Sequence, residues 1–159
     1  AVLKCKNLIK SKYFLMLLPD DLIMKSNCTQ SMLKLHKLYN SSIIASKKVK
    51  REDVSRWGIF NLSKINKKNF LIDDVIEKPS MESAPSNYAV IGRYILPSKI
   101  FKVLLKQKPG KNGEIHITDA IRTLIRQKNK FVGHVFAGKY LDCGTMKGYI
   151  NSSLEISKL

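Results

Sequence analysis

The stretch Tyr13-Phe14-Leu15-Met16-Leu17-Leu18-Pro19-Asp20-Asp21 runs six apolar residues together, stops at a proline and ends on two acids. An unbroken apolar run of that length, closed by a residue that cannot donate to a ladder, predicts a buried strand in a parallel sheet. Carboxylates at the carboxyl end of such a strand stand where open α/β sheets bind their ligands. Outward from this stretch, helix and strand patterns alternate. Apolar positions 2, 5, 8 and 9 suit the end of a helix. Thr29 or Ser31 is expected to cap a helix through Tyr39, and Ser42 to Ser46 reads as the next strand.

Beyond a charged, irregular segment from Lys47 to Trp57, strands are predicted at Gly58 to Leu62 and Phe70 to Ile76, joined by a polar link. Pro79 to Pro85 is a loop and Tyr88 to Leu96 a strand. Ser98 is the expected N-cap of a short helix through Leu105, and Thr118 that of a helix to about Gln127. Short strands at Lys130 to Val135 and Gly138 to Leu141 precede a last helix from Thr145 to Ile156. The chain repeats no unit. Residues 1–159 therefore read as a single α/β domain with mixed strands in its second half.

The 159 residues, 44% of them hydrophobic, can bury a real core without staples. The charge is unusual: 29 Lys and Arg against 12 acids give +17. Nucleic-acid binding is the first reading of such a balance, but 24 of the basic residues are Lys and 5 are Arg, and they are scattered. Base-edge and bidentate phosphate recognition favours Arg, so the excess reads as a solvated surface. Cys5, Cys28 and Cys143 are odd in number and far apart, which speaks against a disulfide framework or structural zinc and suits a reducing compartment. The apolar run at Phe14 to Leu18 is far shorter than the roughly 20 residues of a membrane span.

Three places carry candidate chemistry. Asp20 and Asp21 are carboxylates of the kind Mg²⁺ takes one or two of, filling its other positions with water and phosphate oxygens; a solvated turn is the plainer alternative. Glu77 and Lys78 end a strand as an acid beside a base, and extended alternation would point them apart, one toward hydroxyls and one toward a phosphate. Asp142, beside Cys143 and Gly144, adds a carboxylate just before a helix; Cys143 reads as a packing residue. His36, His116 and His134 are isolated and receive no role.

Taken in order, LLPDDLI, RWGIF, VIEKP, APSNYAVIGRYIL, GEIHITDAI and YLDCGT resemble bacterial UTP-glucose-1-phosphate uridylyltransferases of the sugar-nucleotidyltransferase superfamily, from Ala1 to about Tyr149. The resemblance implies a partial Rossmann-like nucleotidyltransferase fold, three layers αβα around a mixed sheet. It implies Mg²⁺ held by Asp20 and Asp142, sugar hydroxyls gripped by Glu77, the sugar phosphate met by Lys78, and main chain at Gly58 and Val90 against the sugar. Lys78, Asp20 and Asp142 are then the expected catalytic residues. The implied reaction is attack by glucose 1-phosphate on the α-phosphorus of UTP, giving UDP-glucose and pyrophosphate, in the cytoplasm, feeding polysaccharide synthesis; the complete enzymes often form dimers or tetramers.

The sequence also departs from the family. Trp57 stands where Tyr is usual and His116 where Gln is usual. Family members open with a G-x-G-T-R loop that cradles the nucleotide phosphates, and none of the eight glycines here forms a G-x-G. The chain is thus expected to be a C-terminal portion lacking the first strands and that loop, and to be nearly inactive alone. Two alternatives stay open: a non-catalytic sugar-phosphate-binding or regulatory module, and a basic nucleic-acid-binding protein.

Overall fold

In Ser42-Ile43-Ile44-Ala45-Ser46 every residue is buried, and neighbours face opposite ways: Ile43 and Ala45 join one apolar cluster, Ile44 another. That is the signature of a strand covered on both faces. The computed structural model describes residues 2–63, 66, 68–110 and 113–158. The elements are β1 (Tyr13–Leu17), β2 (Asp21–Met24), α1 (Cys28–Tyr39), β3 (Ser42–Lys48), β4 (Gly58–Ser63), β5 (Asn69–Glu77), β6 (Tyr88–Pro97), α2 (Ile100–Lys106), α3 (Ile117–Arg126), β7 (Phe131–Val135), β8 (Lys139–Asp142) and α4 (Met146–Ile156). Short 3-10 turns occupy Val2–Cys5 and Arg51–Arg56.

Six strands form one mixed sheet in the order β1-β6-β3-β7-β5-β4, while β2 and β8 make a separate two-stranded ribbon. The strand β3 pairs parallel with β7 and antiparallel with β6. On one face α1 lays Cys28 and Met32 against Ile43, Ala45, Ile91, Ile95 and Val132. On the other, α2 and α3 bring Ile100, Leu104, Ile121 and Leu124 to Ile44, Phe60, Phe70 and Phe131. Fully burying each such side chain stabilises the fold by about 1.5–3 kcal/mol. The result is the expected three-layer α/β arrangement. Gly133 is required where β7 crosses β5, because a Cβ there would stand 2.1 Å from the Phe70 ring.

Several local expectations are corrected. The apolar run at Tyr13 is neither buried nor parallel: β1 is an edge strand, antiparallel to β6, with Leu15 and Leu17 exposed. Its composition suits a buried strand because one face packs on the core under α2; Phe14, for example, stacks on Phe101 of that helix. The turn at Asp20-Asp21 leads straight into β2, which a four-residue strand pairing only with β8 did not announce. Neither Thr29 nor Ser31 caps α1, which starts at Cys28 after Asn27. Ser98 is a turn residue, since β6 continues through Pro97, and α2 follows Lys99 with no side-chain cap. Thr118 lies inside α3, whose N-cap is His116. Thr145 does cap α4, accepting from the Gly148 amide at 3.0 Å. The start of the chain forms only a 3-10 turn. Parts of the predicted polar link and of the loop after α2, residues 64, 65, 67, 111 and 112, lie outside the described residues.

Sheet order alone would keep β4 far from β6. A single bridge, Ile59 opposite Ala89, folds the first residues of β4 back onto the first residues of β6. That bridge sets Gly58 beside Val90.

Candidate functional site

The cavity starts from the glycine. A Cβ on Gly58 would meet Thr118 Cγ2 at 2.9 Å, Val90 Cγ2 at 3.1 Å and Glu77 Oε2 at 3.2 Å, so strands β4, β5 and β6 and helix α3 converge on one point. With Leu18, Asp21, Arg56, Trp57, Tyr94 and His116 these residues line a cavity of about 200 Å³. Three residues proposed from sequence, Gly58, Glu77 and Val90, therefore come together.

Glu77 closes β5 opposite Gly58. Thr118 Oγ1 donates to its Oε2 at 2.7 Å, and His116 Nδ1 lies 3.9 Å from its Oε1. Helix α3 is anchored under β5 by Arg122, whose Nε and Nη2 donate to the two oxygens of Asp74 at 2.9 Å each, which holds Thr118 in register beneath the carboxylate. Lys78 does not continue the strand as its sequence predicts. The strand ends at Glu77 and Lys78 turns into the left-handed region, φ 44°, so extended alternation does not govern the pair. Its amide donates to the Trp57 carbonyl at 3.0 Å, and its side chain is exposed and outside the cavity lining. A non-glycine residue in that region costs of order 1–3 kcal/mol, and such positions cluster at functional sites. Glu77 and Lys78 make no ion pair with each other among the described residues.

The carboxylates stand next to the cavity on the β2–β8 ribbon. Asp21 pairs with Asp142 across it, and the Cys143 amide donates to the Asp20 carbonyl at 2.8 Å. Asp20 Oδ2 and Asp142 Oδ1 face the same space over Gly144, where a Cβ would meet them at 3.0 and 3.3 Å. Asp142 Oδ1 accepts from the Gly144 amide at 3.0 Å, and its Oδ2 from Arg56 Nη2 at 2.6 Å. Among the described residues no group of three or more His, Cys, Asp or Glu is placed to hold a metal. Two carboxylates, Asp20 and Asp142, share that space, and Mg²⁺ commonly takes one or two carboxylates from a protein.

Asp21, Tyr94, Thr118, Arg56 and His116 carry more than the sequence assigned them. Asp21 does not face the Gly144 space; Tyr140 donates to its Oδ1 and the Gly92 amide to its Oδ2 at 2.7 Å. A Cβ on Gly92 would stand 2.3 Å from that oxygen, so only glycine lets the amide approach. Burial pushes the Asp21 carboxyl above its usual range, the two hydrogen bonds oppose this, and the charges of Asp20 and Asp142 add to it. Burial likewise raises the Tyr94 hydroxyl, helped by Asp21, Glu77 and Asp20, so Tyr94 lines the cavity as a neutral group. Thr118 matches a cap by type but lies inside α3, and Arg56 ends the 3-10 turn in the segment predicted to be irregular. His116 lines the cavity, whereas His134 is buried against Asn69 and His36 meets the Ser41 carbonyl. The adjacency of Arg56 to Trp57-Gly58 and of Asp21 to Asp20 was the available hint. A larger groove of about 460 Å³ between α2 and α3, flanked by Lys99, Lys102 and Lys106, involves none of the candidate residues.

A mixed sheet between two helical layers carries an acid-lined cavity beside a pair of carboxylates. The nucleotidyl transferase family profile matches residues 1–158, and the chain belongs to that family. A UTP-glucose-1-phosphate uridylyltransferase of Pseudomonas aeruginosa is 36% identical over 156 residues, spanning 96% of this chain and 56% of that protein. Among solved structures, a UDP-glucose pyrophosphorylase complexed with UDP-glucose superposes with a TM-score of 0.92 at 40% identity, over 99% of this chain and 60% of that one. A UTP-bound UGPase from Acinetobacter baumannii gives 0.82 at 28% identity, over 98% and 54%. The resemblance read from the six motifs is borne out, and the chain spans about half the length of the curated relatives it matches. Among the described residues no helix is long and apolar enough to cross a membrane.

Proposed function

We propose that residues 1–159 carry the sugar-phosphate and metal part of a UTP-glucose-1-phosphate uridylyltransferase domain. The observation that carries this reading is the convergence of Gly58, Glu77, Val90 and Thr118 on one small cavity beside Asp20 and Asp142. Glu77, held by Thr118 and flanked by His116, accepts hydrogen bonds from vicinal hydroxyls of glucose 1-phosphate. Gly58 and Val90 let the sugar ring lie against main chain. Lys78, its backbone already turned out of the strand, swings its ammonium to the sugar phosphate and neutralises it.

Asp20 and Asp142 are the residues that hold Mg²⁺, which when bound offsets phosphate charge as the reaction proceeds. A phosphate oxygen of glucose 1-phosphate forms a bond to the α-phosphorus of UTP, and the bond from that phosphorus to the bridging oxygen breaks, so pyrophosphate leaves with the electron pair. Orientation and charge stabilisation do most of the work, and no covalent intermediate with the protein is required. The cavity holds the nucleophile's sugar in place and sets its phosphate toward the carboxylates. Because no G-x-G occurs in the sequence, this chain alone turns over little or no substrate. Cytoplasmic location is part of the same reading, supported by the free cysteines Cys5, Cys28 and Cys143.

Calorimetric titration tests it. Glucose 1-phosphate is expected to bind the chain, and pyrophosphate release from glucose 1-phosphate and UTP to stay at background. Absence of glucose 1-phosphate binding would overturn the sugar assignment, and clear turnover would overturn the claim of inactivity. Equal affinities for glucose 1-phosphate and UDP-glucose mark a module that reads only the sugar end.

A further inference from the structure

We infer that Arg56 is a positioning residue for the cation site: it fixes Asp142 so that one carboxylate oxygen faces Asp20, and so joins the turn that opens the sugar cavity to the carboxylates. The inference rests on the assignment of Asp20 and Asp142 made above.

The two oxygens of Asp142 have separate duties. Arg56 Nη2 donates to Oδ2 at 2.6 Å, whereas Oδ1 accepts from the Gly144 amide and faces the space it shares with Asp20 Oδ2. With the guanidinium on the outer oxygen, rotation of the carboxylate is resisted and the inner oxygen keeps lone pairs for a hard cation. Arg56 is itself held from three sides. Its guanidinium lies 4.5 Å from the centre of the Trp57 ring, Nη1 is 3.9 Å from Asp53, and the 3-10 turn carrying it closes with the Trp57 amide on the Val54 carbonyl at 3.2 Å.

Trp57 and Gly58 follow directly in the chain and line the cavity with Arg56. A sugar seated on Gly58 therefore presses on the same short segment that orients Asp142. Lysine cannot reproduce this arrangement, because an ammonium lacks the flat face that stacks on Trp57 and the fork that meets two carboxylates. The side chains of Arg56 and Asp142 are 49% and 26% exposed, so the pair adds little to stability and its value lies in orientation.

The test uses the ¹⁵N-labelled chain titrated with Mn²⁺, a paramagnetic divalent probe whose broadening of amide signals reports site and affinity together. In the wild type, selective broadening is expected at Asp20, Asp142 and Gly144. Arg56→Gln is expected to weaken that binding about tenfold, with Arg56→Lys recovering part of the loss and the thermal midpoint of each variant within about 2 °C of the wild type. Unchanged Mn²⁺ affinity in Arg56→Gln would overturn the inference, and so would tighter binding, which would make Arg56 a competitor of the cation. Asp142→Asn separates the two levels of argument. If it leaves the selective broadening intact, the assignment of Asp142 to the cation fails; if it removes the broadening while Arg56→Gln does not, only the role of Arg56 fails.

Discussion

Gly58, Glu77, Val90 and Thr118 are held by a covered six-stranded sheet and an anchored helix, whereas Asp20 and Asp142 ride on the two-stranded β2–β8 ribbon at its margin. The cavity inherits its geometry from packing. Ile59, Phe60, Val75 and Ala89, neighbours of its lining residues, are buried, and apolar contacts of that kind do not depend on ionisation. The ribbon has much less of that support, and a pair of strands with few apolar contacts is marginal in water. Apart from the burial of Leu141 and the packing of Ile23 and Tyr140, it depends on polar ties: Tyr140 and Gly92 to Asp21, Cys143 to Asp20, and Arg56 to Asp142. The sugar pocket is thus rigid by construction, and the carboxylates are placed by a small polar network open to adjustment.

That contrast can be broken experimentally. The largest effect is expected from Glu77→Ala, which should lower glucose 1-phosphate affinity about 100-fold, or about 3 kcal/mol, while the unfolding midpoint stays close to wild type. Calorimetry and thermal unfolding on one preparation check it; a large loss of stability would show that the cavity is not supported by packing alone.

Thr118→Val keeps the shape of the side chain and deletes the hydroxyl that steadies Glu77. Affinity is expected to fall about tenfold, about 1.4 kcal/mol, and Thr118→Ser to restore it; an unrestored loss would assign the effect to the methyl group beside Gly58. Tyr140→Phe comes next. It removes a donor to a half-buried carboxylate and should cost about 1 kcal/mol in urea unfolding, with glucose 1-phosphate affinity unchanged within about twofold. If affinity falls in step with stability, ribbon and cavity are one unit. The smallest effect concerns His134, whose burial, aided by Lys68, lowers its proton affinity in the folded state. The unfolded chain then binds the proton more readily, so this contribution to stability is complete above about pH 6.5 and is lost as pH falls below it. His134→Gln should flatten the stability profile in that acidic window, as urea unfolding at stepped pH would record.

Much of the fold was legible in residue patterns. The strands β3, β4, β5, β6 and β7 and helices α1, α3 and α4 fall close to their predicted spans, because each has a strong period or a long apolar run. The misses are physical. An edge strand with one packed face reads like a buried one, so the sequence of β1 predicts a buried strand of a parallel sheet. The β2 strand exists through pairing with β8, more than 100 residues away by number, and local sequence cannot announce such a partner. Thr118 matches a cap by type, but its hydroxyl is used across the structure by Glu77 rather than by its own helix. For the site, grouping Gly58, Glu77 and Val90 required the family resemblance, since the bridge at Ile59 and Ala89 that unites them leaves no trace in spacing. Arg56 and Tyr140 open the RWGIF and YLDCGT motifs, but they act through partners distant in the chain, which their neighbours in sequence do not reveal.

The position of β1 has a bearing on how residues 1–159, taken by themselves, behave in solution. It is hydrogen-bonded along one side to β6 alone among the described strands, and its Leu15 and Leu17 are 39% and 50% exposed. Such a border can template further strands from another molecule. The +17 charge opposes that encounter, acting over about 30 Å at 0.01 M salt but only about 8 Å at 0.15 M. Added electrolyte should therefore promote association of this chain, and light scattering should rise with ionic strength: the lysines then serve as a colloidal barrier whose height the solvent sets.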